Sequence, residues 1–319
     1  KQKEVIDYFG KEAWVKMMRI IVRTIRQYSH LIVLWFLCAQ VVLISSVEAE
    51  VSDYVGEETF VWLSDIHFDS LFGEDESNGG PQCRNLDVLD PAHDIMSSMG
   101  CECNDALLNE VLTFASAFGS RNKPPSMVIV SGDLVRHGMD RVKKDPLDLY
   151  LDTISTVSKA VRDYFKADIP IVFALGNNDL FPDHKLDSGI LKSVEGRLHN
   201  SFSLTEHQSK TFGTQGYLAY DMMLPTGDLT ILSLNTNMFS KKLITDDGTQ
   251  TFNPENQWTW MESELQRCRL ESRHVWILGH IPPTIQSYSK GSPLWLNSHV
   301  DRYRSILEEY KGIIQTQLF

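Results

Sequence analysis

Side chains of the types that bind metal ions follow four short apolar segments of this chain. They lie in Asp65-Ile66-His67, Ser131-Gly132-Asp133, Gly176-Asn177-Asn178-Asp179 and Gly279-His280. Each preceding segment has the length of a buried strand, and open α/β sheets bind ligands at the carboxyl ends of their strands. We therefore expect these side chains to point toward one place. Such a mixture of nitrogen and oxygen ligands suits zinc, iron or manganese.

The spacing of these residues indicates a site for two metals. Two side chains as close as Asp65 and His67 can reach the same ion as the chain leaves the sheet. A glycine before Asp133, Asn177 and His280 lets the backbone turn sharply, because it has no Cβ. A shared aspartate can bridge two cations about 3.5–4 Å apart, an arrangement suited to phosphoryl transfer. A single Gly-Asp or Gly-His is usually structural, but four such segments in one chain favour a metal site.

The apolar runs alternate with stretches of helical length, which predicts a layered α/β fold. Strands are predicted at Phe60–Ser64, Met127–Ser131, Ile171–Leu175, Thr230–Asn235 and His274–Leu278. Helices are predicted at Asn104–Ser120, Asp145–Phe165, Pro254–Arg269 and Val300–Tyr310. The loop from Phe68 to Cys103 is long, and loops of this length are often functional.

Composition and charge exclude several other classes of protein. The chain has 319 residues, of which 42% are hydrophobic and 23% charged, which excludes a disordered, collagenous or coiled-coil protein. Residues 50–319 carry a net charge of −15, so this part lacks the clustered cations that nucleic-acid binding requires. It would also be repelled by an anionic membrane surface.

The N-terminal region has the pattern of an export signal. Residues 1–30 form a basic segment with seven Lys or Arg against three Asp or Glu, and the apolar run Leu31–Ile44 follows. Val47-Glu48-Ala49 resembles a signal peptidase site, so residues 31–49 are predicted to be a signal peptide. The alternatives are an uncleaved anchor at residues 31–47, which would contact the membrane, and a buried core helix. The predicted location is the secretory pathway, ending outside the cell or in a lysosomal or vacuolar lumen.

Cysteine usage agrees with export. Cys83, Cys101 and Cys103 lie in a Gly/Asp/Asn-rich stretch of the long loop. We expect a disulfide from Cys83 to either Cys101 or Cys103, since an oxidising compartment permits it. A zinc cluster is the rival interpretation, but a single C-x-C without a second pair is weak for structural zinc.

Taken together, these motifs resemble the calcineurin-like metallophosphoesterases, in particular the acid sphingomyelinase-like phosphodiesterases and the endopolyphosphatases. The matching segments are Asp65-Ile66-His67, Gly132-Asp133 with His137, Gly176-Asn177-x-Asp179, Ser233–Asn237, Gln257-Trp258-x-Trp260 and Val275–Pro283. The resemblance covers residues 58–319. It implies a four-layer α/β/β/α sandwich of two mixed sheets.

The resemblance also implies a ligand set for two divalent metals, expected to be zinc, with iron or manganese as alternatives. Asp65 and His67 would hold the first metal, Asp133 would bridge both, and Asn177 with His280 would hold the second. The implied reaction is hydrolysis of a small-molecule or lipid phosphodiester by a metal-bridging hydroxide. No nucleic-acid partner is expected.

This chain departs from the family at two places. The family usually has His where this chain has Asn178, and that His contacts the phosphate or protonates the leaving group. Asn178 is therefore a candidate catalytic residue expected to contact the substrate, but asparagine can donate a hydrogen bond and cannot deliver a proton. His137 is therefore expected to act as the general acid, although it could instead cap a turn. His184 is a weaker candidate, expected to be a solvated loop residue. The family also ends its site with Gly-His-x-His after a strand, and Ile313–Phe319 is predicted to be that strand, so the last ligands are expected beyond this sequence.

Two other functions stay open at this point. An endopolyphosphatase is favoured by Asn178, because a similar Gly-Asn-Asn-Asp occurs in that branch of the family. It would need cations near the site, for which Arg136, Lys143 and Lys144 are available. A non-catalytic secreted or surface protein that keeps the fold is the alternative of another class.

Overall fold

The computed structural model describes residues 32–35, 40–45, 58–72, 83, 96, 97, 100–119, 124–243, 252–286 and 290–319. The strands are β1 Ile32–Trp35, β2 Gln40–Ser45, β3 Thr59–Ser64, β4 Met127–Val130, β5 Ile171–Phe173, β6 Leu218–Leu224, β7 Gly227–Ser233, β8 His274–Leu278, β9 Ile285–Gln286, β10 Ser292–Pro293 and β11 Ile314–Leu318. The helices are α1 Asp105–Gly119, α2 Pro146–Tyr164, α3 Ser188–Phe202, α4 Glu206–Gln215, α5 Pro254–Leu270 and α6 Asn297–Tyr310.

The first sheet carries most of the predicted metal ligands. Its strand order is β1-β2-β3-β4-β5, with β3, β4 and β5 parallel and the other pairs antiparallel. All four residues of β4 and all three of β5 are buried, which explains their continuous apolar sequences. Because these strands are parallel and adjacent, the loops that follow them leave the same edge of the sheet.

The second sheet has the order β11-β8-β7-β6. Strands β11, β8 and β7 are parallel, and β6 pairs antiparallel with β7. The carboxyl end of β8 leads into His280. A separate pair, β9 and β10, forms a short antiparallel hairpin beyond it.

The two sheets pack face to face, with helices on their outer sides. The rings of Phe60 in β3 and Trp276 in β8 lie 5.2 Å apart between centroids. Ser233 at the end of β7 donates a hydrogen bond of 2.7 Å from its hydroxyl to the carbonyl of Phe173 in β5. The predicted four-layer α/β/β/α sandwich of two mixed sheets is confirmed. The layering brings the carboxyl ends of β3, β4, β5 and β8 together.

The N-terminal predictions are only partly covered by the described residues. Strands β1 and β2 form an antiparallel pair beside β3, within the segment predicted to be a signal. The alternative of a buried core helix there is therefore wrong, while the basic segment 1–30 lies outside the described residues. None of the described helices has the length and apolar composition needed to cross a membrane.

Other differences from the sequence predictions are local. Strand β5 ends at Phe173, two residues before the predicted end at Leu175, so the loop that carries Asn177 begins earlier than expected. The sequence pattern does not predict helices α3 and α4, because both are rich in polar residues and contain glycine. It also does not predict strand β6. The alternation of buried Leu218, Tyr220 and Met222 in β6 is a period-two signal that could have revealed it.

Candidate metal centre

The loops after β3 and β4 hold three predicted ligands in an unusual backbone conformation. Asp65, His67 and Asp133 have φ values of 53°, 45° and 56°, in the left-handed region that non-glycine residues seldom adopt. Backbone hydrogen bonds hold them there, from Asp65 N to Gly132 O (3.1 Å) and from His67 N to Asp133 O (2.9 Å). Strain of this kind is concentrated at functional sites.

Gly132 and Gly176 let two ligand loops touch. A Cβ on Gly132 would lie 2.4 Å from the nitrogen of Gly176, and one on Gly176 would lie 2.2 Å from the nitrogen of Asp133. Gly132 also has a φ of 97°, so it supplies the sharp turn predicted for it. Gly176 has a different role from the one predicted, because its missing Cβ makes room for Asp133.

Asp179 organises the loops that carry the ligands. Its buried carboxylate accepts hydrogen bonds from the backbone nitrogens of Asp133 (2.8 Å), Leu134 (2.7 Å) and Gly176 (2.9 Å). Burial and the charge of Asp133 raise the pKa of Asp179 to about 6. Sequence analysis included Asp179 in the matching motif without giving it a role.

His67 and His280 have the orientation of metal-ligating histidines. The Nδ1 of His67 bonds to the carbonyl of Val135 at 3.1 Å, and the Nδ1 of His280 bonds to the carbonyl of Ser131 at 2.9 Å. These bonds place a proton on each Nδ1 and leave each Nε2 lone pair for a metal. The two Nε2 atoms lie 3.5 Å and 3.3 Å from the same oxygen, Oδ2 of Asp133.

Asp65 and Asn177 complete the predicted set, one beside each histidine. Oδ1 of Asp65 lies 3.7 Å from Nε2 of His67, and Oδ1 of Asn177 lies 3.3 Å from Nε2 of His280. The amide nitrogen of Asn177 donates to Asp183 at 2.9 Å, which turns its oxygen toward His280. Sequence analysis missed Asp183 because nothing in its local pattern distinguishes it from an ordinary loop carboxylate.

Charge coupling dominates the titration of the cluster. Burial would lower the pKa of His67, but the nearby carboxylates of Asp65, Asp133 and Glu102 outweigh burial and raise it to about 9. The pKa of His280 is likewise raised to about 10, since Asp133 outweighs burial. Burial opposes ionisation of Asp133, but His280 and His67 hold its pKa well below the usual range. The cluster thus binds protons where divalent cations could bind instead.

A cavity of about 480 Å³ opens beside the cluster, and all five predicted ligands line it. His137 also lines it, with its ring stacked 4.2 Å from that of His67 and its side chain 52% exposed. His184 lines the cavity as well and is half-buried, so the expectation of a solvated loop residue is wrong. Lys241 and Lys242 are exposed at its rim.

Asn178 does not line the cavity, as its predicted catalytic role would require. Its side-chain amide donates to Oδ2 of Asp133 at 2.7 Å and its backbone nitrogen donates to Oδ1 at 2.8 Å. The residue is buried and does not belong to the cavity lining. Asn178 therefore supports the Asp133 carboxylate, and the expected direct contact with substrate is corrected.

Several named proteins are similar to this chain in sequence. The sphingomyelinase phosphodiesterases D and C of Dictyostelium discoideum are 25% and 27% identical to this chain, each over 82% of it. An endopolyphosphatase of Saccharomyces cerevisiae is 26% identical over 80% of the chain. The chain spans 60%, 56% and 38% of the lengths of these three relatives, respectively.

The family model for calcineurin-like phosphoesterases matches residues 58–313, which include every predicted ligand. Members of this family are phosphoric ester hydrolases that normally bind two divalent metals. The side chains present fit such metals, since both histidines have Nε2 available and Asp133 lies between them. The chain belongs to the calcineurin-like phosphoesterase family.

Proposed function

We propose that this protein is a metal-dependent phosphodiesterase acting on small-molecule or lipid phosphodiesters. The observation that carries the proposal is the position of Asp133, whose Oδ2 lies within 3.5 Å of both His67 and His280. Asp65 with His67 would hold one metal, Asn177 with His280 would hold the other, and Asp133 would contact both. Zinc is the proposed metal, with iron or manganese as alternatives.

When bound, two such ions supply polarisation of the phosphoryl oxygens and a water of lowered pKa. The side chains of the protein must then deliver a proton to the departing oxygen. His137 lines the cavity and its partial exposure lets it regain a proton from solvent. We assign the general acid to His137, a role typically worth about 10²–10⁴ in rate. Asn178 keeps the Asp133 carboxylate in place through its two hydrogen bonds.

An endopolyphosphatase is the second candidate function, and Lys241 and Lys242 at the cavity rim favour it. Their charges would attract a polyanion along the approach to the site. The cations predicted from the sequence do not supply this attraction. Arg136 is buried and bonds to Asp69 at 2.7 Å, while Lys143 and Lys144 are not among the residues that line the cavity.

Hydrolysis of three substrates by the zinc-loaded protein tests these proposals: bis(4-nitrophenyl) phosphate, sphingomyelin and polyphosphate. We expect turnover of the diesters, and its loss in Asp133→Asn, because the shared carboxylate loses its charge. The matched control is Asp140→Asn, an exposed aspartate on the following turn, which should keep wild-type activity.

The outcomes separate the alternatives. Preference for polyphosphate, reduced by Lys241→Ala with Lys242→Ala, would favour the endopolyphosphatase. Near wild-type turnover in Asp133→Asn with both metals bound would refute the dinuclear site. No hydrolysis of any substrate by the metal-loaded wild type would favour a non-catalytic protein.

We also propose that the protein travels through the secretory pathway. The Cys83–Cys101 disulfide supports this location, since disulfides persist in oxidising compartments. Fractionation of cells that express the tagged protein tests it. Recovery in the cytosol with Cys83 and Cys101 reduced would contradict it.

A further inference from the structure

Glu102 contacts His137, the proposed general acid, and has no role so far in the proposed mechanism. Its Oε1 lies 2.8 Å from Nδ1 of His137, and its Oε2 lies 3.8 Å from Nδ1 of His67. The Glu102 side chain is 15% exposed, whereas that of His137 is 52% exposed. The ring of His137 stacks on that of His67 along one face, but this contact does not set which nitrogen points toward the substrate. A hydrogen bond to a more buried carboxylate therefore has a large influence on the orientation of the ring.

The backbone on both sides of Glu102 is anchored. Cys101 forms a disulfide with Cys83, and the carbonyl of Glu102 accepts a hydrogen bond of 2.7 Å from the hydroxyl of Ser97. On the other side, Cys103 donates its backbone N–H to His67 O at 3.0 Å and accepts from Asp69 N at 2.7 Å. The carboxylate is therefore presented from a fixed point beside the metal-ligand loop.

A further metal site is the competing interpretation. His67, Glu102 and His137 place potential ligand atoms within 4.8 Å of one another. The Nδ1 of His67, however, bonds to the carbonyl of Val135 and so carries a proton, while its Nε2 faces Asp133. His67 cannot ligate toward Glu102 in that arrangement. A hydrogen-bonded Glu102–His137 pair accounts for the geometry without a metal.

We propose that Glu102 is a positioning residue that fixes the ring of His137. The Nδ1–H of His137 donates to Glu102, which leaves Nε2 as the nitrogen that faces the substrate. In the proposed reaction, the bond between phosphorus and the leaving oxygen breaks as a hydroxide oxygen bonds to phosphorus. The leaving oxygen takes the Nε2 proton, and His137 regains a proton from solvent. This inference rests on the proposed phosphodiesterase function, and in particular on His137 as the acid.

A series of phosphodiesters with 4-nitrophenol, phenol and an aliphatic alcohol as leaving groups tests the proposal. Glu102→Gln should lower kcat about 10–100-fold for the aliphatic ester and hardly affect the 4-nitrophenyl ester, whose leaving group needs little protonation. Glu102→Asp should recover part of the loss. In a His137→Ala background, Glu102→Gln should have less than about a twofold further effect, because the two residues act as a unit. Glu110→Gln, on the exposed face of α1, is the matched control.

Two measurements do not depend on activity. The ¹⁵N chemical shifts of the His137 ring should show Nδ1–H in the wild type and a mixture of tautomers in Glu102→Gln. Metal content should stay at two ions per chain in both proteins. Unchanged ring shifts, or an equal loss of kcat on all esters, would overturn the positioning role. Loss of a third ion would establish the metal-site interpretation instead. If His137→Ala itself shows no leaving-group dependence, the assignment of the acid fails, and the ring shifts alone then decide the Glu102 contact.

Discussion

The two histidines of the metal centre should together release about two protons per chain when zinc binds at about pH 7.5, in addition to any proton released by metal-bound water. The two histidines that face Asp133 have raised pKa values, about 9 for His67 and about 10 for His280. Both are therefore almost fully protonated at that pH in the metal-free protein. Each must lose its Nε2 proton before it can ligate a metal.

The number of protons released distinguishes this cluster from a pair of histidines with ordinary pKa values. With the unperturbed pKa of about 6.5, each histidine would be roughly one-tenth protonated at about pH 7.5, and the pair would release only about 0.2 protons. Calorimetric titration with zinc in buffers of different ionisation enthalpy measures the number, since the apparent enthalpy changes in proportion to the protons released. His280→Gln should reduce the release by about one proton, and the exposed control His207→Ala should leave it unchanged. An equal release from the wild type and His280→Gln, with zinc bound to both, would refute the charge coupling inferred from these distances.

Further predictions concern pH, stability and the general acid. Because the pKa values of His67 and His280 are higher in the folded state than the unfolded value of about 6.5, their protonation stabilises the metal-free protein fully below about pH 6.5. This contribution is lost as the pH rises through about 9 to 10. The metal-free protein should therefore lose thermal stability across this range, and the zinc-loaded protein should not. Asp179→Ala should lower the free energy of unfolding by about 3 kcal/mol, because three backbone N–H groups lose their acceptor. In urea titrations the exposed control Asp168→Ala should change the free energy of unfolding by less than about 0.5 kcal/mol. Equal effects of the two substitutions would contradict the role of Asp179. His137→Ala should slow hydrolysis of aliphatic phosphodiesters by about 10²–10⁴ and hardly change that of 4-nitrophenyl esters, whereas equal losses would assign it to phosphate binding or to the fold.

The sequence alone predicts those strands whose burial requires a continuous run of apolar residues. Strands β3, β4 and β8 lie within one or two residues of their predicted bounds, since each is a short apolar run. The polar helices α3 and α4 escape prediction because their packing against neighbours, rather than a strong apolar stripe, makes them stable. The local pattern of apolar and polar residues does not reveal such tertiary contacts.

The candidate site divides in the same way. Asp65, His67, Asp133, Asn177 and His280 are found from residue type and from their position after strands, and the structure places all five around one cavity. Asp183 and Glu102 come from loops without a periodic pattern, so only the folded chain shows that they contact Asn177 and His137. The orientation of Asn178 toward Asp133 likewise depends on the approach of two loops.

A crystal structure of the zinc-loaded protein, with anomalous diffraction recorded at the zinc edge, tests the dinuclear centre most directly. We predict two zinc peaks about 3.5–4 Å apart, with Asp133 in contact with both, Asp65 and His67 on one, and Asn177 and His280 on the other. A single peak, or two peaks that Asp133 does not join, would contradict the proposed centre.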